Sequence, residues 1–258
     1  MKRAAVIFTL LSRSIWSQPA ISTPQIGFVQ DSANALRRLS GVPGGFWLGD
    51  AIRAGVTSSA FSGTLGMAKT KGALYVFDAG GRILFKAQAK PGAALIALAD
   101  SGDSALAYLA SDGVLLRWTG GKLMNVPLDA PAIGGEVISI AQPSGTLASM
   151  LVERDSRVWL LTLSLESGSI DSQRLLPGVA AQVLLLNNGD LVSANGKGIT
   201  LARANGVDIH FDAALSTSVA IRRSGAGWVQ VSDSSGRQFA LSLQAGHERL
   251  YQLPEERP

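Results

Sequence analysis

A short hairpin recurs along the 258-residue chain at a spacing near 40 residues, and this period limits what the chain can fold into more than any other feature. It is clearest as Tyr75-Val76-Phe77-Asp78-Ala79-Gly80-Gly81-Arg82-Ile83 and again as Leu116-Arg117-Trp118-Thr119-Gly120-Gly121-Lys122-Leu123. Three later copies carry Gly168, Gly206 and Gly246. An earlier one, Phe28 to Leu36, has Asn34 where the others have glycine. A turn that needs a left-handed backbone takes Gly or Asn at low cost, so the exchange is compatible with one shared turn. The markers Asn34, Gly80, Gly120, Gly168, Gly206 and Gly246 are separated by 46, 40, 48, 38 and 40 residues. Between hairpins lies a second pair of apolar runs, such as Leu95 to Asp100 followed by Ala105 to Ala110, so each full unit holds four strands. No long window keeps apolar positions at helical spacing without a Gly or Pro interruption, and the fold class is therefore all-β. With 47% hydrophobic and 16% charged residues, a disordered chain is excluded.

Four strands in about 40 residues is the repeat of a β-propeller blade, in which each sheet buries its faces against its neighbours around a central axis. A single propeller of four-stranded blades over residues 25–254 follows. Six outer hairpins against five inner pairs give six blades, while the count leaves five or seven open. Phe46-Trp47-Leu48 supplies an extra strand for the first blade, and Arg249 to Leu253 is placed to close the ring beside the N-terminal hairpin. The segment Val56-Thr57-Ser58-Ser59-Ala60-Phe61-Ser62-Gly63, running on to Leu74-Tyr75-Val76-Phe77-Asp78, resembles blades of the bacterial β-propeller repeat proteins of WD40-like, YVTN-like or quinoprotein-like type. That resemblance extends over Ile26 to Leu253, with Phe77-Asp78 standing where the WD40 pattern has Trp-Asp. From Pro24-Gln25-Ile26-Gly27-Phe28-Val29 onward the chain is most similar to small exported propeller proteins of unassigned function. The resemblance implies a fold and a compartment, and it carries no catalytic residues.

Met1-Lys2-Arg3, the apolar run Ala4 to Leu11 and the polar Ser12-Arg13-Ser14 read as a secretory signal ending at Ser17, with residues 18–24 a linker and 255–258 a tail. The alternative is that Ala4 to Leu11 is an ordinary first strand. A run of eight residues is too short to cross a bilayer, so the mature chain is expected to have no transmembrane segment and to be periplasmic or secreted. Removing residues 1–17 takes away Lys2, Arg3 and Arg13 and no acid, leaving 20 basic against 19 acidic residues, a net +1. The high isoelectric point thus stems from the leader, and no nucleic-acid partner is expected. Zero cysteines exclude disulfides, thiolate metal sites and cysteine nucleophiles.

Chemical motifs are sparse. His210 and His247 occupy non-equivalent places in their units, which argues against a shared metal site. There is no G-x-S-x-G elbow, no phosphate-cradling G-x-x-x-x-G-K-[ST] and no calcium loop. The tryptophans Trp47, Trp118, Trp159 and Trp228 are irregularly placed, unlike a quinone-cofactor dehydrogenase. No cofactor, metal or catalytic residue is assigned. Position offers more, because the inner strands of all blades run the same way and their ends meet at one rim. Those ends are Ser62, Asp100, Gln142, Asn187 with Asn188, and Arg222 with Arg223, with Asp50 as the sixth contribution. The expectation is an exported, non-enzymatic module of the cell envelope whose rim seats a protein partner or a small polar ligand. The alternative is a propeller enzyme, either a polysaccharide hydrolase or lyase or a cofactor-dependent dehydrogenase, using Asp100 and Asp50 in the central funnel. A structural subunit marked by a large exposed apolar patch is the third reading.

Overall fold

Short apolar runs separated by Gly-rich turns have one good way to bury both faces, which is to stack as small antiparallel sheets around an axis. The computed structural model describes residues 23–179 and 182–254 and has this arrangement. The first sheet holds β1 (Gln25–Gln30), β2 (Leu36–Val42) and β3 (Gly45–Arg53). The second holds β4 (Val56–Phe61), β5 (Leu65–Thr70), β6 (Ala73–Asp78) and β7 (Ile83–Gln88), and the third β8 (Ala94–Leu98), β9 (Ser104–Leu109), β10 (Val114–Thr119) and β11 (Lys122–Val126). One helical turn, α1 (Ala130–Ile133), leads to the fourth: β12 (Glu136–Ala141), β13 (Leu147–Arg154), β14 (Arg157–Ser164) and β15 (Ile170–Leu176). The fifth comprises β16 (Val183–Leu185), β17 (Leu191–Asn195), β18 (Gly198–Ala202) and β19 (Asp208–Asp212). The sixth comprises β20 (Val219–Gly225), β21 (Trp228–Asp233), β22 (Gln238–Ser242) and β23 (Arg249–Gln252). Every sheet pairs its strands in sequence order, so each is a contiguous piece of chain. The leader assigned to residues 1–17, most of the linker and the tail at 255–258 lie outside the described residues.

Six sheets in a ring require six interfaces, and six apolar clusters fill them. One joins sheets 1 and 2 through Phe28, Leu36, Phe61 and Phe77. Others join sheets 2 and 3, 3 and 4, 4 and 5 and 5 and 6. The last joins sheet 6 back to sheet 1 through Val29, Leu39, Ala240 and Leu253. Strands covered on both faces, such as β9, are buried throughout, whereas the outermost strands alternate, as in Asp208 to Asp212.

Two details differ from the sequence reading. Arg249 to Gln252 lies beside the first sheet, as expected, but hydrogen-bonds to β22 as the outer strand of its own sheet and does not extend the N-terminal hairpin. Closure comes instead from face packing, with Phe46 of the first sheet set edge-on to Trp228 and Tyr251 of the sixth at 5.8 and 5.5 Å. The second difference concerns Asn34. Its backbone is left-handed (φ 59°), as expected, but its turn joins β1 to β2, and the Asn34 carbonyl accepts from Val56 N–H at the start of β4. That places it on the face opposite the other markers, whose turns join the third and fourth strands. The equivalent turn in the first sheet is Pro43-Gly44, and Gly44 lies 36 residues before Gly80, which removes the long first interval of 46. Among the described residues the first sheet therefore has no innermost strand. β4 and β20 pack directly against each other, and β1 stands behind both.

Candidate functional site

Five inner strands line the axis. β4, β8, β12, β16 and β20 enclose a cavity of about 240 Å³ bordered by small residues such as Ser59, Ala94 and Ser139, by aliphatic residues such as Ile138 and Ile221, and by Arg222 and Arg223. Inner-strand hydroxyls tie neighbours together: Ser58 Oγ accepts from Ala94 N–H at 2.9 Å, and Ser139 Oγ accepts from Leu185 N–H at 2.8 Å.

At the end where the inner strands turn, several expected rim residues meet. Asn187 Nδ2 donates across the axis to the Leu98 carbonyl at 2.8 Å and to Asp100 Oδ1 at 3.0 Å. Arg223 Nη1 donates to the same carbonyl at 3.1 Å, and its Nη2 pairs with Asp100 Oδ1. Both residues reach past the neighbouring inner strand, so the network spans the mouth of the cavity. Asp100 is 66% exposed at its side chain and Arg223 only 17%, so the acid presents itself to solvent while the base is held from below. Gln142 lies beneath, 1% exposed. Its N–H donates to Asn187 Oδ1 at 2.9 Å and its Nε2 to Ser104 Oγ at 2.8 Å, which fixes the Asn187 amide. Ser62 is buried and closes its own turn on the Leu65 carbonyl.

The network opens on one side into a cleft of about 340 Å³ lined by Ser62, Asp100, Asn187, Asn188, Arg203 and Arg223. Arg203 is the residue that positional reasoning missed. It ends β18 just before the Gly206 turn, and its Nη1 meets Asp190 Oδ2 at 2.6 Å while Nη2 pairs with Glu248, linking sheets 5 and 6. A charged residue at a strand end is the only signal it gives in the sequence. Burial opposes ionisation of Asp190, but hydrogen bonds from the Ala204 N–H, the Arg203 guanidinium and the Asn188 amide outweigh it and hold the carboxyl below its usual range. A carboxylate with a depressed folded-state pKa contributes stability that is present above its unfolded value near 4 and is lost as pH falls below it. Wild-type melting temperature should therefore decline below about pH 4, and Asp190→Asn, less stable at pH 7, should decline less steeply. Parallel profiles for the two proteins would contradict this linkage.

Two expected rim residues are elsewhere. Asp50 lies on β3, the outer strand of the first sheet, and is exposed, so it does not share a funnel with Asp100. Arg222 points away from the mouth, between β20 and the first sheet, where Nη1 donates to Ser232 Oγ at 3.2 Å. His210 sits on outer strand β19 with Thr200 Oγ1 at 2.9 Å from Nδ1, and His247 lies in the β22–β23 turn. Among the described residues no group of three His, Asp or Glu is placed to hold a metal ion. No helix among them is long and apolar enough to cross a membrane. The exposed large apolar residues, Val42, Trp47, Ile83, Leu84, Met124, Leu175 and Val207, fall one or two to each of the first five sheets, on the outer strands and turns, and none in the sixth.

Comparison of the whole fold decides the architecture. TolB from Acinetobacter baumannii superposes with a TM-score of 0.59 over 90% of this chain at 15% identity, and the WD40 β-propeller domain of Doa1 with 0.51 over 87% at 12%, covering 95% of that domain. The chain is a six-bladed β-propeller. A chain of a nidogen/laminin complex matches the propeller similarly, with a TM-score of 0.58, 11% identity, and coverage of 89% of this chain and 93% of that one. The propeller spans 64% of the TolB chain's length. No protein-family model and no curated protein matches the sequence. At these identities the likeness is one of fold.

Proposed function

We propose that the propeller is an exported, non-enzymatic binding module of the cell envelope, and that its mouth receives a polar or charged side chain of a protein partner or a small polar ligand. The observation that carries this reading is the Asp100–Arg223–Asn187 network spanning the mouth beside an open cleft. Its donors are fixed before any ligand arrives, because Gln142 and the Leu98 carbonyl hold Asn187 and Arg223 in place. Little rotamer entropy then remains to be lost on binding. Asp100 Oδ1 is occupied, while Oδ2 has no hydrogen-bond partner among the described residues and is offered to a donor from outside. Export rests on the basic, apolar and polar succession of residues 1–17, and periplasmic or secreted location follows from it.

The experiment is cross-linking and affinity capture of the tagged protein from envelope fractions, with mass spectrometry of the processed N-terminus and of bound material. A start at Gln18 and a stoichiometric partner are expected. Asp100→Ala and Arg223→Gln should each weaken capture by about 2 kcal/mol, roughly thirtyfold, as for a central charged contact. Asp100 is mostly exposed, so its variant should keep its unfolding free energy within about 0.5 kcal/mol. Capture that is unaffected, or lost only in proportion to stability, would remove the mouth from consideration.

A further inference from the structure

Arg222 is a partly buried cation that the mouth does not use. Its cross-strand neighbour is Gln230, and the Arg222 side chain leaves β20 on the face shared by Gln230 and Ser232 of β21. Among the described residues the bond to Ser232 Oγ is its one side-chain hydrogen bond and it forms no ion pair, although a guanidinium has five N–H donors. It lines a polar cavity of about 130 Å³ together with Gln30, Asn34, Gln238 and the acids Asp31 and Asp233. Both acids are already engaged. Asp31 Oδ2 accepts from Arg37 Nε at 2.6 Å, and Asp233 Oδ2 from Arg237 Nη2 at 2.9 Å. Each acid is thus paired with an arginine of its own, and among the described residues Arg222, the arginine that lines the cavity, pairs with neither. Partial burial pushes its pKa down, yet a guanidinium stays protonated in a protein, so the charge favours a counterpart.

We propose that this cavity, on the face opposite the mouth, binds the carboxylate of a monoanion through Arg222. A planar carboxylate matches the guanidinium fork with two parallel N–H···O bonds. The two neighbouring acids disfavour a dianion such as phosphate or sulfate. The volume equals that of about four liquid waters, which suits a carboxylate head and little more. The site shares no residue with the mouth and stands or falls separately from it.

The test measures thermal unfolding of the full-length protein in sodium acetate, phosphate, sulfate and chloride at matched ionic strength. Acetate alone should raise the wild-type midpoint in a saturable way, by about 2–4 °C at several times its dissociation constant. Arg222→Gln should abolish that rise. Arg222→Lys, which keeps the charge and loses the fork, should weaken acetate binding by about tenfold in calorimetric titration. Arg223→Gln should leave the acetate response intact, which separates this site from the mouth. A blocked tripeptide with a free C-terminal carboxylate, set against its amide, distinguishes a chain end from a small free acid by which of peptide and acetate binds more tightly. The same response to every salt, or a response preserved in Arg222→Gln, overturns the proposal. Should Arg222→Gln not fold, unchanged acetate affinity in Arg222→Lys overturns it equally.

Discussion

Phe77→Ala is expected to lower the unfolding free energy by about 3–5 kcal/mol, the cost of removing a large aromatic side chain from a core that cannot collapse around the gap. Phe77 is 1% exposed and sits where blades 1 and 2 meet. Its ring is edge-on to Phe28 at 5.2 Å and parallel to Phe61 at 6.2 Å. Beneath it lies Gly66, where an added Cβ would come within 2.1 Å of the Phe77 ring. The aromatic therefore occupies space left by a missing side chain on the adjacent strand, and nothing nearby can move in to replace it. Denaturant unfolding with an unchanged m-value would measure the loss. A loss under about 1.5 kcal/mol would mean that the first interface is loosely packed and contributes little to the ring.

Gln230→Leu is expected to cost about 3–4 kcal/mol although the two side chains are similar in size. Gln230 is 1% exposed, and its amide closes the seam between the last blade and the first. Oε1 accepts from Gln30 N–H at 3.0 Å, and Nε2 donates to the Gln30 carbonyl at 2.7 Å. The side chain thereby satisfies both polar groups of a buried residue on the unpaired edge of β1, where no strand among the described residues does so. Leucine would leave a buried N–H and a buried C=O without partners, at about 1–3 kcal/mol each. Gln230→Glu retains one acceptor and should recover part of the loss at low pH, where a protonated carboxyl can both accept and donate. Leucine and wild type unfolding at the same midpoint would show that water enters the seam freely.

Turn chemistry explains both what was legible and what was misplaced. The hairpin period was readable because a left-handed residue in each turn is a local requirement, although in the second blade that residue is Gly81 (φ 79°) and not the marker Gly80 beside it. The same locality put Asn34 into the wrong hairpin. In the turns at Asp31, Asp78 and Asp233 the aspartate N–H bonds to the carbonyl four residues on, and the residue three places on returns its N–H to the aspartate carbonyl. Such turns look alike in sequence whichever face of the ring they occupy. The rim was partly legible because strand ends must meet there, and Asp100, Asn187 and Ser62 line the cleft. Arg222 and Arg223 could not be told apart, since neighbouring residues in a strand face opposite ways and one extra residue reverses the assignment. The irregularity between Arg223 and Gly225 is of that kind and has no signature in the residues themselves.

The five inner strands inside six blades give the molecule one rotational order at its circumference and another at its axis. Six equal positions around a pore would favour a ligand or ion that is itself symmetric, coordinated alike from every side. Among the described residues no such set of equivalents exists, and the axis is crossed by a single arginine and a single amide, both directed at one carboxylate. A ligand at the mouth, as proposed, would meet a vector rather than a ring and would bind in one orientation.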